Sequence, residues 1–131
     1  MIVLDTHVWI WFLSNPDLLS TTALKHIKEA EKSDIIYVSS ISVWEMALLV
    51  LKKRLILNID IKQWLSIAEN LKFLNYIPID NSIALKSVNL PSPLHNDPAD
   101  RIIIASAIAL DAILITKDEK ILNYPYVQAV W

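Results

Sequence analysis

Four acidic side chains, Asp5, Glu45, Asp100 and Asp118, each stand close to an apolar segment although they lie far apart along the chain. Asp5 ends the run Ile2-Val3-Leu4, and Glu45 lies in the helical stretch after Ile35-Ile36-Tyr37-Val38. Asp100 opens the stretch Ile102-Ile103-Ile104-Ala105, and Asp118 follows Ile113-Leu114-Ile115. In an open parallel α/β sheet, ligand sites form outside the carboxyl ends of the strands. Residues this distant in sequence can therefore share one pocket. Gathered carboxylates repel one another, and a bound divalent cation with oxygen ligands is the usual reason for such a cluster. The chemistry this points to is metal-dependent hydrolysis of a phosphodiester.

Each acid also has a plain structural reading. Asp5 can cap a helix beginning at Thr6, a role aspartate fills well. Ser42-x-x-Glu45 has capping-box spacing. A helix starting near Ile41, however, puts Glu45 a full turn inside, beside Trp44 and Met46, where an unpaired acid is costly. In Asp97-Pro98-Ala99-Asp100, Asp97 reads as N-cap, Pro98 as N1 and Asp100 as N3. The helix behind them is apolar nearly all round, so its start must face a pocket or a partner. That makes Asp97 the cap and Asp100 the ligand. Asp118 can cap a short helix from Glu119. Four independent accidents at one sheet edge are a poorer account than one site.

The elements that must position these acids can be read from periodicity and punctuation. Ile2–Leu4 reads as a buried strand, followed by a helix over Thr6–Leu13 that Asn15-Pro16 closes. A helix over Thr21–Glu31, a strand at Ile35–Val38 and a helix capped by Ser39 or Ser40 and running to about Lys53 follow. Asp60-x-x-Gln63 opens a helix carrying Trp64, Ile67, Ala68 and Leu71 at helical spacing. Tyr76–Ile79 reads as an edge strand, because Pro78 cannot donate to a ladder. Asp80 caps a helix through Val88, and Asn89–Asn96 is a loop. A helix from Pro98 to about Leu110, a strand at Ala112–Ile115, a short helix at Glu119–Leu122 and a strand near Val127–Trp131 complete the chain. Strands alternating with helices imply an α/β fold with a mostly parallel central sheet covered on both faces.

Composition narrows the function classes. The 131 residues fit one domain, 1–131, with a real core. The apolar share of 54% is modestly high and hints at a buried subunit contact. There are no cysteines, which excludes disulfides, thiolate nucleophiles and zinc–thiolate sites. There is no glycine either, so neither a Walker loop nor a dinucleotide fingerprint is possible. The opening MIVLDTHVWIWFL has no positive n-region and carries Asp5, so it does not read as a signal peptide. The run Ile102–Leu110 is too short to cross a bilayer. The expectation is a soluble cytoplasmic protein.

With a net charge of −2, a nucleic-acid reading must rely on local basic groups and on metal charge. The candidates are Lys52-Lys53-Arg54, Arg101, Lys117 and Lys120. His7, His26 and His95 lack metal-ligand spacing, and His7 reads best as a packed helix histidine. Ser39, Ser40 and Ser42 read as caps rather than nucleophiles, since there is no GxSxG elbow. The tryptophans read first as core and interface, with Trp9 and Trp11 also placed where they could stack bases.

Four blocks, IVLDTHVWIWFL, SSISVWEMALLVLKKRLIL, HNDPADRIIIASA and LITKD, resemble in order and spacing the motif blocks of PIN-domain ribonucleases, and most nearly the VapC-type toxins of type II toxin–antitoxin pairs. The resemblance spans essentially the whole chain. It implies a PIN-like three-layer α/β/α sandwich and a Mg²⁺- or Mn²⁺-dependent endoribonuclease. It also implies a homodimer and inhibition by a small antitoxin. Asp5 then matches the first-strand acid, Glu45 the helix acid, Asp100 the acid opening the Ile-Ala-rich helix, and Asp118 the acid of the Thr-x-Asp block. Thr116 matches that block's polar partner. One cation held by Asp5, Asp100 and Asp118, alone or with a second shared with Glu45, would then act on the scissile phosphate. Relatives often carry glycine where this chain has Lys53 or Arg54, so the end of the Glu45 helix departs from the family. The antitoxin is expected near Lys52–Arg54 or Arg101.

Two phosphotransfer folds fail on the same residues. A haloacid-dehalogenase-like site needs Asp-x-Asp where Asp5 is followed by Thr6-His7. A receiver domain needs an aspartate where Val38 is followed by Ser39. The rival from another class is a non-catalytic PIN-like module, binding RNA or protein, whose acids are helix caps. Metal binding with substitution-sensitive RNA cleavage separates it from an enzyme.

Overall fold

A computed structural model describes residues 1–131. Strands β1 (Ile2–Leu4), β2 (Ile36–Ser39), β3 (Leu74–Ile77), β4 (Ile113–Ile115) and β5 (Ala129–Val130) form one sheet in the order β3-β2-β1-β4-β5. Every pairing is parallel. The chain winds outward from β1 through β2 to β3, then returns to place β4 on the other side of β1. The reversal between β1 and β4 is the switch point at which a crevice opens outside the strand ends.

Side-chain alternation along the strands builds two cores. Ile2 and Leu4 of β1, Ile36 and Val38 of β2, and Ile115 of β4 face one way. They pack against α1 (Thr6–Ser14), α2 (Thr21–Glu31) and α4 (Ile61–Glu69) through Val8, Trp9, Ile27, Ala30, Trp64 and Ala68. Val3 and Leu114 face the other way, toward α5 (Asn81–Val88), α6 (Pro98–Ala109) and α7 (Glu119–Leu122). Helix α3 (Ser40–Leu51) gives Met46 to the first core and lays Ile41 against the second. The result is three layers, α/β/α. Trp9 is wholly buried, edge-on to Trp64 at 5.0 Å and to Tyr76 at 6.1 Å, so it cannot stack on a base.

Boundaries depart from the sequence reading where hydrogen bonding decides them. The edge strand lies two residues earlier than Tyr76–Ile79, and its last pair is Ser39 with Ile77. Pro78 has no N–H to carry the ladder further. Ser39 caps α3, accepting from the Ile41 amide at 3.2 Å, so Ser42 is free for another role. A one-turn 3₁₀ helix at Pro16–Leu18 follows α1.

Helix ends without glycine are closed by other residues in the left-handed region. Lys53 ends α3 at φ 58, with its amide bonded to Val50 O and the Arg54 amide to Leu49 O. This is a Schellman closure, which glycine normally occupies. The same pattern recurs after α2 at Asp34 (φ 54) and after α6 at Asp111 (φ 52). Lys53 thus takes a position that glycine favours, against a Cβ clash that glycine lacks.

Candidate active site

Asp5 leaves β1 at the switch point, and its amide bonds Ile115 O at 3.0 Å, continuing the ladder one residue past the strand. The side chain then turns into the crevice. Its Oδ1 accepts from the Thr6 amide at 2.8 Å, capping α1. Its Oδ2 accepts from Thr116 Oγ1 at 2.6 Å, across the β1–β4 junction. Thr116 is fully buried and also receives the Asp118 amide on the same oxygen at 3.1 Å. One threonine therefore fixes the distance between the acids that follow the two central strands.

Glu45 enters from α3, anchored by a residue that sequence reading had placed only at a helix start. Thr6 Oγ1 lies 2.5 Å from Glu45 Oε1 and 2.8 Å from Ser42 Oγ. A threonine hydroxyl has one proton to give, so the Thr6–Ser42–Glu45 cluster is a directed chain. No signal along the chain could have paired Thr6 with a glutamate 39 positions away. Asp100 enters from the first turn of α6, where Asp97 is the cap and accepts the Asp100 amide at 3.1 Å. Asp118 caps α7 through Oδ1, which receives the Lys120 amide at 2.9 Å. For Asp5 and Asp118 the capping and site readings are thus not alternatives. Each caps a helix and still presents oxygen lone pairs to the crevice.

All four acids line one cleft of about 650 Å³, together with Thr6, His7, Trp11, Lys117 and Glu119. His7 stands exposed on its wall, 5.6 Å from the Trp11 ring, and is not packed in the core. Lys117 sits over Trp11, 5.8 Å from the ring centroid, and is the one lysine on the wall. Arg101 does not face this cleft. Its guanidinium bonds the carbonyls of Ser87 (2.9 Å), His95 (3.2 Å) and Val88 (3.2 Å), so it is a clamp rather than a free basic contact. That clamp brings His95 over α6, with Nε2 3.3 Å from Asp100 Oδ2.

The electrostatics follow from this crowding. Burial pushes the Asp5 carboxyl above its ordinary range, partly offset by the bonds from Thr116 and Thr6, while Asp118 pushes it further up. Burial also raises Glu45, against the pull of the Thr6 hydroxyl, and Asp5 adds to the rise. Asp100 is pushed up to about 8, first by burial and then by the charges of Asp5, Asp97, Glu45 and Asp118. Without a counter-charge this crowding disfavours the ionised forms. A hard divalent cation reverses that preference, and oxygen donors are what it takes. An oxygen each from Asp100 and Asp118, with His95 Nε2 beside them, lie within 4.8 Å of one another, close enough for the two acids to share an ion. The donor set fits a divalent cation.

The PIN domain family matches residues 2–125. The chain belongs to the PIN-domain family. Its alignment to Ribonuclease VapC22 of Mycobacterium tuberculosis (strain ATCC 25618 / H37Rv) is 35% identical over 133 residues, covering 99% of this chain and 98% of that protein. Among solved structures, this PIN domain superimposes on VapBC2 from Rickettsia felis bound to a promoter DNA fragment, with TM-score 0.72 and 19% identity over 100% of this chain and 99% of that one. FitAcB from Neisseria gonorrhoeae gives TM-score 0.68 and 22% identity over 100% and 97%. These two likenesses establish the fold of the PIN chain. No helix is long and apolar enough to cross a membrane.

Proposed function

We propose that residues 1–131 form one nuclease domain, a divalent-metal-dependent endoribonuclease that acts as the toxin of a toxin–antitoxin pair in the cytoplasm. One observation carries this reading: Asp5, Glu45, Asp100 and Asp118 converge from four segments on one cleft in a chain 35% identical to a named ribonuclease. Mg²⁺ or Mn²⁺ would be held by Asp5, Asp100 and Asp118, with Glu45 completing the set. When bound, the cation supplies Lewis-acid polarisation of the scissile phosphate and lowers the pKa of a bound water. The protein's share is placement. Thr116 and the Thr6 amide hold both oxygens of Asp5, and Thr6 holds Glu45. Lys117 offers the positive group on the cleft wall that a polyanionic RNA needs beside so many carboxylates.

Two further surfaces support the partners. An apolar groove of about 730 Å³ is lined by Leu13, Leu18, Leu55, Leu57, Trp64 and Ile67, among others. It is continuous along the chain with Lys52-Lys53-Arg54, which suits an antitoxin segment that is apolar with acidic flanks. On the opposite layer, Leu85 and Val88 of α5 are 65% and 73% exposed, and there we place a second copy of the chain. Cleavage mapping on total cellular RNA tests the enzyme reading. Wild type with Mg²⁺ or Mn²⁺ is expected to cut, and EDTA or Asp5→Asn to abolish the products. Undiminished cutting in EDTA refutes the metal mechanism. Metal-independent RNA binding without cutting favours the non-catalytic module.

A further inference from the structure

His95 stands beside Asp100 at the candidate cation site, and its two ring nitrogens are in different situations. Nδ1 accepts the Asp97 main-chain amide at 3.3 Å. An amide N–H can only donate, so in the neutral ring the proton is on Nε2. Nε2 is sealed from solvent and has no acceptor in line, yet Asp100 Oδ2 lies 3.3 Å away. A donor without a lone pair cannot bind a cation, although its position among the oxygens of Asp100 and Asp118 would suit a ligand. What it can do is donate to the carboxylate beside it.

We propose that His95 is a positioning residue, whose Nε2–H steadies the Asp100 carboxylate for the cation and does not itself ligate. The inference rests on the reading that Asp100 holds a divalent ion. Two contacts keep the imidazole in place. The Asp97 amide fixes one edge of the ring, and the Arg101 guanidinium holds the His95 carbonyl at 3.2 Å. The same guanidinium ties the end of α5 through Ser87 and Val88, so the loop bearing His95 is fastened to α6 from both sides. Asp97, Asp100 and Arg101 all belong to the cap and first turns of α6. One turn of helix thus sets the acid, its donor and the clamp that holds the donor. Groups that orient a metal-binding side chain typically change metal affinity by about 10–100-fold when removed.

Mn²⁺ titration of the full chain, followed by loss of the free-ion EPR signal, tests this with wild type, His95→Leu and His95→Gln. The glutamine amide can donate where the imidazole does, and leucine cannot. His95→Leu is expected to weaken Mn²⁺ binding about 10-fold or more, with His95→Gln restoring most of it. Pulsed EPR of Mn²⁺-loaded wild type is expected to show no directly coordinated ¹⁴N. A coordinated nitrogen that disappears in His95→Leu overturns the proposal by making His95 a ligand. Unchanged affinity in a folded His95→Leu overturns it too, as does His95→Gln binding as weakly as His95→Leu. Failure of wild type to bind Mn²⁺ overturns the cation reading itself, a result distinct from the other three. If His95→Leu does not fold, His95→Gln serves the same assignment, since its loss of a wild-type ¹⁴N coupling would equally identify His95 as a ligand and overturn the proposal.

Discussion

Removing one negative charge from the cleft should make the metal-free protein more stable while abolishing its chemistry. Asp100→Asn is the sharpest case. Burial and four neighbouring carboxylates push Asp100 up to about 8 from an ordinary 3.8. Each pKa unit is worth about 1.4 kcal/mol, so before solvent screening the environment opposes the charge by about 4 kcal/mol near pH 7. Asp100 lines a cleft open to water, and solvent screening reduces this to about 1–2 kcal/mol. Against it stands the favourable effect of a carboxylate in the first turn of α6, about 0.3–1 kcal/mol. The net expectation is a gain of about 1 kcal/mol, or a melting temperature higher by about 3–5 °C for a chain of this size.

The pH dependence fixes the sign. An acid whose folded pKa is raised keeps a proton that the unfolded chain releases, so folding loses stability as pH rises through the interval between the two values. Wild type should therefore lose this contribution between about pH 4 and pH 8, and Asp100→Asn should not. Asp5 and Glu45 titrate in both proteins, so the difference between the two melts is the quantity to measure. It should be smallest near pH 4 and complete above about pH 8. Mn²⁺ should raise the wild-type melt and leave the variant nearly unmoved. Asp97→Ala is the internal control. Loss of the α6 cap should cost about 0.5–2 kcal/mol, offset in part at higher pH where the Asp97 charge also opposes that of Asp100. Thermal melts in EDTA across this range, paired with cleavage assays, check both. A variant that melts below wild type by a constant amount at all pH values would refute the shared-cleft account and leave Asp100 a helix-start residue.

Three other outcomes are expected. Lys53→Gly should raise stability by about 0.5–1 kcal/mol in denaturant titration, because relief of the left-handed clash at φ 58 outweighs the added chain entropy. Thr6→Val should cost about 1–3 kcal/mol by the same measurement, since it leaves Glu45 and Ser42 without their shared hydroxyl. Light scattering at micromolar concentration should give a dimer mass for wild type, and a monomer mass for Leu85→Glu with Val88→Glu. A monomer mass for wild type would refute the second copy placed on α5.

Much of this protein is written locally. The β-branched runs, the cap residues Ser20, Asp80 and Asp97, and Pro98 at the start of α6 fix most elements to within a residue or two. They do so because capping and periodicity act over a few residues, a range that sequence spacing reports directly. Asp5 and Asp118 face the crevice for a related reason: a carboxylate shortly past a strand emerges at the sheet's carboxyl edge. The tertiary structure alone decided what those acids touch. Thr6 on Glu45, Thr116 on Asp5 and His95 beside Asp100 join segments whose nearness depends on β1 and β4 lying side by side and on α3 and α6 closing over their ends. The same packing sorted residues of one type into opposite roles. Trp9 went to the core and Trp11 to the cleft, two positions apart on one helix, because a helix turns about 100° per residue and only one of those directions faces the sheet. Arg101 and Lys117 read alike as basic groups. Hydrogen bonds to three main-chain carbonyls made Arg101 a clamp, whereas Lys117 stands on the cleft wall. A charge's role depends on which acceptors the fold brings within its reach, and those acceptors lie elsewhere in the chain.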